Sequence, residues 1–212
     1  MTENDIMPHA KSSAKGLYMS AVVAMCGKNF AIMASDSRMV ELCDGEVVRV
    51  VNDNVEKIVR VNDHVMLGIA GDYGAYEHIL VPIKSNGYSL DLPQVAQEAY
   101  NRARSFKLGT LPLTVFVAGK GRDGEFVIAE LASANGYYPD LYLPGDTNER
   151  YIRLAAPFIK DKEVLRLVNE RLDKAAASGS LAEAKDRLSN LIKNIANRDC
   201  SVNKVVRCKI VT

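Results

Sequence analysis

Two ionisable residues occupy positions that the surrounding pattern assigns to apolar side chains. Asp36 follows the run "FAIMAS" at 30–35, and strand alternation puts it on the side of Ile32 and Ala34. Lys57 lies in "VEKIVRV" at 55–61, on the face shared by Val55, Val59 and Val61. A bare ammonium is costly to bury, so Lys57 needs a partner or must give up its proton. One reading makes Asp36 and Lys57 a structural pair, or makes Lys57 a side chain that snorkels at a strand edge. The other sets Lys57 beside a nucleophile, where it perturbs proton affinities. The candidate nucleophile is Ser20, the small polar residue between Met19 and the apolar "AVVAMC". A serine hydroxyl needs a base at neutral pH. A serine that opens a chain carries one in its own α-amine, whose ordinary pKa is about 8. The plainer reading of Ser20 is the edge of a strand.

Other chemistries leave no trace in the sequence. It contains no Gly-rich phosphate loop, no HExxH and no GxSxG. His9, His64 and His78 are scattered, and no base–nucleophile pair involves them. Cys26, Cys43, Cys200 and Cys208 have neither metal-ligand nor disulfide-framework spacing. With no signal-peptide block in the first 19 residues, they read as reduced thiols of a cytoplasmic protein. A formal net charge of +1, no tryptophan and no basic stripe with aromatics argue against nucleic acid as a partner. No apolar run reaches the roughly 20 residues of a membrane span. No cofactor and no metal are expected.

The positioning elements follow from periodicity. Residues 21–26 and 30–35 read as a hairpin turning at "GKN", and 55–61 and 64–70 as a second strand pair joined at "ND". Asp72 can cap "YGAYEHILVPIK", with Pro82 limiting its end. Asp91 can cap "LPQVAQEAYNRARSFK", whose Val95, Ala99 and Ala103 share a face. Residues 112–120 and 125–133 form another hairpin around "GRDG". A short strand near "YIRLAA" precedes two helices. The first carries Val164, Leu165, Val168 and Leu172, the second Leu181, Leu188, Leu191, Ile192 and Ile195, and "KVVRCKIV" ends the chain as a strand. The polar "MTENDIMPHAKSSAKGLYM" reads as a flexible leader rather than an element. The domains are therefore a leader or propeptide-like extension at 1–19 and one folded domain at 20–212. The pattern alone gives mixed α/β or α+β. Strands clustered around two helical pairs suggest two sheets face to face with helices outside.

The stretches "SAVVAMCGKNFAIMASDSR" and "EKIVRVNDHVMLGIAGD" resemble proteasome β-subunits and their bacterial relatives, and "NRDCSVNKVVRCKIVT" resembles that family's closing stretch. In that family a Thr opens the first strand, "A-A-D-x-R" ends the second, a Lys opens the next, and "G-x-x-G-D" follows. The resemblance covers most of residues 20–72. It implies an α+β, four-layer αββα sandwich of the N-terminal-nucleophile (Ntn) hydrolase type. It places Ser20 at the catalytic Thr, Asp36 at the acidic partner and Lys57 at the catalytic lysine. It also places Gly68 at the glycine whose N–H forms the oxyanion hole, and Asp199 at the aspartate near the nucleophile's amine.

The implied activity is amide hydrolysis of peptide or protein substrates. The Ser20 amine takes the hydroxyl proton as oxygen attacks the carbonyl, the Lys57 ammonium favours the alkoxide, and water releases the acyl-enzyme. The resemblance also implies a homo-oligomeric ring; ring size and any ATPase partner are not readable. Removal of the leader is required, by self-cleavage as in the family or by translation starting at Met19. The sequence departs from the family pattern at Ser20 for Thr, at Met19 for Gly, at "LAAPF" (154–158) and at "DCSVNK" (199–204). Two other readings stay open: a non-catalytic ring subunit retaining residues 1–19, and a transferase passing the same acyl group to an amine. The loops at 40–54 and 134–150 are expected to shape the substrate pocket.

Overall fold

The computed structural model describes residues 15–19, 21–106, 112–143, 151–156, 163, 166, 168, 170 and 180–212. The expected first hairpin is present as β2 (Val22–Gly27) and β3 (Phe30–Ser35), after β1 (Lys15–Met19). β2 and β3 are buried throughout, so neither shows hydrophobic–polar alternation. Next come β4 (Met39–Cys43), β5 (Glu46–Asn52), β6 (Ile58–Arg60) and β7 (Val65–Asp72). The chain continues with β8 (Thr114–Lys120), β9 (Phe126–Ala132), β10 (Asp140–Tyr142), β11 (Tyr151–Ala155) and β12 (Arg207–Val211).

Two antiparallel sheets result. One runs β10-β9-β8-β7-β1-β4-β5 with β6 also on β7; the other runs β11-β2-β3-β12. Their facing surfaces bury Val22, Ala24, Met33, Ile58, Met66 and Phe116 in one cluster. On the outer face of the larger sheet, Leu67, Ile69 and Val115 meet Ile79, Val95 and Ala99 from helices. On the outer face of the smaller sheet, Val23, Met25 and Ile32 meet Leu188, Leu191 and Ile195. Helix, sheet, sheet, helix is the four-layer order expected.

The helical stretch after β7 comprises α1 (Tyr73–Ala75), a π-helical turn (Tyr76–Leu80) and α2 (Val81–Asn86). The Asp72 side chain caps it, accepting from the Gly74 N–H at 2.8 Å. Pro82 does not end the helix. The π turn resets the hydrogen-bond register, so Pro82 falls in the first turn of α2, where its missing N–H costs least. Helix α3 (Leu92–Ser105) opens with the expected Asp91 cap, elaborated into a capping box with Gln94, and buries Val95, Ala99 and Ala103. Helix α4 (Leu181–Ala196) buries the expected Leu188, Leu191, Ile192 and Ile195. Of the helix expected before it, Val168 is helical and buried, while Val164, Leu165 and Leu172 lie outside the described residues.

The structure departs from the sequence reading at the leader. Its last five residues are a strand, inserted between β4 and β7. Tyr18 pairs with Val40 on one side and Asp72 on the other, and Met19 with Met39 and Gly71. Composition suggested no element because the strand needs both neighbours to satisfy its backbone; alone it has no partner. The segment at 40–54 is likewise regular, a β4–β5 hairpin turning at Asp44-Gly45, both with positive φ.

Candidate active site

Strand β3 ends at Ser35, so the alternation assumed for Asp36 no longer applies. The Asp36 carboxylate instead meets Lys57, which stands just before β6. The Lys57 Nζ donates to Asp36 Oδ1 at 2.5 Å, and both side chains are fully buried. The same Oδ1 accepts the Ala21 N–H at 3.1 Å, and Oδ2 accepts those of Arg38 at 2.8 Å and Asn203 at 3.4 Å. Four donors converge on one carboxylate, which is how a buried charge is satisfied. Burial pushes the Lys57 ammonium below its ordinary range; the Asp36 charge and hydrogen bond act against that push.

Ser20 lies outside the described residues. Its two covalent neighbours are described. Met19 is fully buried at the end of β1, and Ala21 is fully buried with its N–H on Asp36. The Asp36–Lys57 centre is therefore tied to the backbone one residue beyond Ser20.

Asp199 sits in the turn after α4. Its Oδ1 accepts the Ser201 N–H at 2.8 Å, and its carbonyl accepts the Val202 N–H at 3.2 Å. This turn delivers Asn203 to Asp36. Gly68 is placed differently from the expectation. Val61 donates to Val65, and Ile69 donates to Lys57, so odd-numbered residues of β7 bond toward β6. Gly68, paired with Ile58 and Phe116, therefore turns its N–H toward β8, away from the β1 edge. The glycine beside the Met19–Ser20 bond is Gly71, which pairs with Met19 and has φ +125°.

Sequence reasoning missed a supporting network. The Asn203 Oδ1 accepts the Ser37 N–H at 3.1 Å, and its Nδ2 donates to Asp53 Oδ1 at 3.0 Å. Ser37 Oγ donates to the Asp53 carbonyl at 2.6 Å. Arg38 pairs with the Asp53 carboxylate at 2.6 Å and donates to the Cys200 carbonyl at 2.8 Å. The Arg38 guanidinium holds Asp53 below the usual carboxylate range. "DSR" and "DCSVN" carried the signal, as short polar runs beside apolar strands, but not the pairing between them.

Residues 19–86, less than half of the chain, match the family model described as "Proteasome subunit". Among solved structures, HslV from Trypanosoma brucei superposes with a TM-score of 0.54 at 14% identity, covering 91% of this chain and 99% of that one. Over residues 19–86 this chain resembles proteasome subunits. No curated protein sequence matches it. The likeness to HslV carries the fold alone. The family match spans Met19, Asp36, Lys57, Gly68 and Gly71, and stops before Asp199 and Asn203.

Among the described residues, no group of three His, Cys, Asp or Glu side chains is placed to hold a metal ion. Two cavities, of about 590 and 440 Å³, lie around the β8–β9 turn and α3 and share no residue with the Asp36–Lys57 centre.

Proposed function

We propose that this chain is the precursor of a proteasome-β-like serine peptidase that works in a self-assembled ring, with Ser20 as nucleophile once residues 1–19 are removed. The observation that carries this reading is the fully buried Lys57–Asp36 pair, tied to the backbone at Ala21. A desolvated lysine with a depressed pKa is costly to keep for packing alone, and a cation beside an N-terminal nucleophile has a use there.

In this reading the Ser20 α-amine accepts the hydroxyl proton as Oγ attacks the peptide carbonyl. Lys57 lowers the cost of the developing alkoxide and disfavours protonation of the amine; Asp36 fixes Lys57 and the Ala21 backbone together. The protonated amine gives that proton to the departing amine as the peptide C–N bond breaks and the acyl-enzyme ester forms. The freed α-amine then takes a proton from the water that attacks the ester and passes it to Oγ as the carboxylic acid product leaves. The oxyanion donor is assigned to backbone N–H groups near Gly71 rather than to Gly68. Asp199 acts at a distance, by holding the turn that presents Asn203.

One observation favours a second reading. β1 is paired on both sides at Tyr18 and Met19, and Met19 is fully buried, so residues 15–19 of the extension are built into the sheet. A subunit that keeps it is non-catalytic, because the amine at Ser20 remains an amide.

The test is intact mass and N-terminal sequencing of the protein from its native host, followed by peptide hydrolysis with wild type and Ser20→Ala. A chain beginning at Ser20 with hydrolysis lost in Ser20→Ala supports the peptidase. A chain retaining residues 1–19 and inert toward peptides supports the second reading.

A further inference from the structure

We infer that Asn203 is a positioning residue: its side-chain amide sets the Lys57–Asp36 contact and, through it, the rate of the chemical step. This rests on the peptidase reading above and adds a residue to its machinery.

No sheet ladder holds either member of the pair. Asp36 lies in the irregular stretch 36–38, between the end of β3 at Ser35 and the start of β4 at Met39. Lys57 lies in the irregular stretch 53–57, between the end of β5 at Asn52 and the start of β6 at Ile58. Their 2.5 Å contact therefore depends on what ties one stretch to the other. The Val55 N–H donates to the Ser37 carbonyl at 2.9 Å, and Ser37 Oγ donates to the Asp53 carbonyl at 2.6 Å. The Arg38–Asp53 ion pair spans the same gap, but the Asp53 side chain is 52% exposed and solvent weakens such a pair.

Asn203 joins the two stretches from a third, and it is buried. Its Oδ1 accepts the Ser37 N–H at 3.1 Å, next to Asp36, and the Val205 N–H of its own turn at 3.2 Å. Its Nδ2 donates to Ser37 Oγ at 3.1 Å, to Asp53 Oδ1 at 3.0 Å and to the Asp53 carbonyl at 3.3 Å. One side chain thus accepts from the Asp36 stretch and donates to the Lys57 stretch. A carboxylate lacks the donor, and alanine lacks both groups. The amide is also neutral, so it adds no charge beside the buried Lys57–Asp36 pair. It stands within "DCSVNK" (199–204), where the sequence departs from the family pattern. A catalytic group misplaced by about 1 Å can cost about a hundredfold in rate, so a tie between these two stretches bears on the chemistry as well as on stability.

The experiment uses the full-length protein after maturation, with its N-terminus read by intact mass, as wild type, Asn203→Ala, Asn203→Asp and Ile192→Val. Ile192→Val thins the core under α4, away from the amide, and controls for lost stability. Peptide hydrolysis is measured well below each Tm. Asn203→Ala should lower kcat about ten- to a hundredfold with KM within about twofold. Asn203→Asp should lose no less, since its carboxylate would face that of Asp53. Ile192→Val should keep the wild-type kcat. A second readout needs no turnover: acylation of Lys57 by an amine-reactive succinimidyl ester, read by peptide mass spectrometry. It should quicken at least about fivefold in Asn203→Ala, the scale of one net hydrogen bond, and not in Ile192→Val. A wild-type kcat in Asn203→Ala, or a loss that Ile192→Val matches, overturns this inference and leaves the peptidase reading standing. A wild type that hydrolyses no peptide overturns the peptidase reading. Lys57 acylation then decides alone whether Asn203 sets the Lys57–Asp36 contact, and an unchanged rate in Asn203→Ala overturns that too.

Discussion

Removing Lys57 tests whether the Asp36–Lys57 pair is as desolvated as its geometry indicates. Lys57→Met keeps the length and apolar stem of the side chain and deletes the charge. Asp36 then loses its 2.5 Å ammonium donor but keeps three backbone donors, from Ala21, Arg38 and Asn203. Breaking a buried pair from one side typically costs about 3–5 kcal/mol, and the retained donors put Lys57→Met at the low end. In a domain of this size each kcal/mol lowers Tm by about 2–4 °C, so the expected fall is roughly 6–12 °C. Asp36→Leu should cost more, because it strips the Lys57 ammonium of its acceptor. Carrying both changes should recover much of the loss, since apolar replacement of a whole buried pair is often neutral. Thermal unfolding of the four proteins reads the cycle. The pH dependence follows with its own sign. The folded pKa of Lys57 is lowered, so below its ordinary value of 10.5 the unfolded chain binds more protons than the folded one. This residue's contribution to stability therefore rises with pH through the window that ends near 10.5, and that rise should vanish in Lys57→Met. A Tm change under about 2 °C in Lys57→Met, or single losses that simply add in the double variant, would refute the reasoning.

Asn203→Ala removes the acceptor of the Ser37 N–H and one donor to Asp53; an unsatisfied buried group costs about 1–3 kcal/mol, read as a lower urea midpoint. An unchanged midpoint would remove Asn203 from the supporting network. Gly71→Ala should be more damaging than Gly68→Ala: φ is +125° at Gly71 and a Cβ there would lie 2.5 Å from the Pro112 carbonyl oxygen, whereas at Gly68 the nearest atom is the Met33 sulfur at 3.0 Å. Equal thermal stability of the two variants would contradict this. Tyr137 is pushed up to about 12, mainly by burial. Its folded pKa is raised, so its contribution is intact below pH 10 and is lost as pH climbs toward 12; alkaline unfolding of Tyr137→Phe should lack that loss.

The sequence by itself determined the hairpins at 21–35 and 112–133, the helix caps and the identity of the buried charges. "AVVAMC" and "FAIMAS" had to pair, because two fully apolar runs joined by "GKN" have few other ways to bury themselves. Asp72 and Asp91 announced their helices because capping is local chemistry between residues two or three apart. Lys57 among valines announced a partner, since an isolated buried ammonium is untenable. What only the tertiary structure decided depends on contacts between distant segments. Asn203 reaches Ser37 and Asp53 across more than a hundred residues, and no periodicity encodes that meeting. Gly68 and Gly71 are three residues apart in one strand. Which one stands beside the Met19–Ser20 bond is fixed by hydrogen-bond parity and by where β6 ends and β1 begins. The leader shows the same division most clearly. Lys15–Met19 ends a leader whose polar composition reads as loose chain, and it is a strand only because β4 pairs with all five residues and β7 with Tyr18 and Met19.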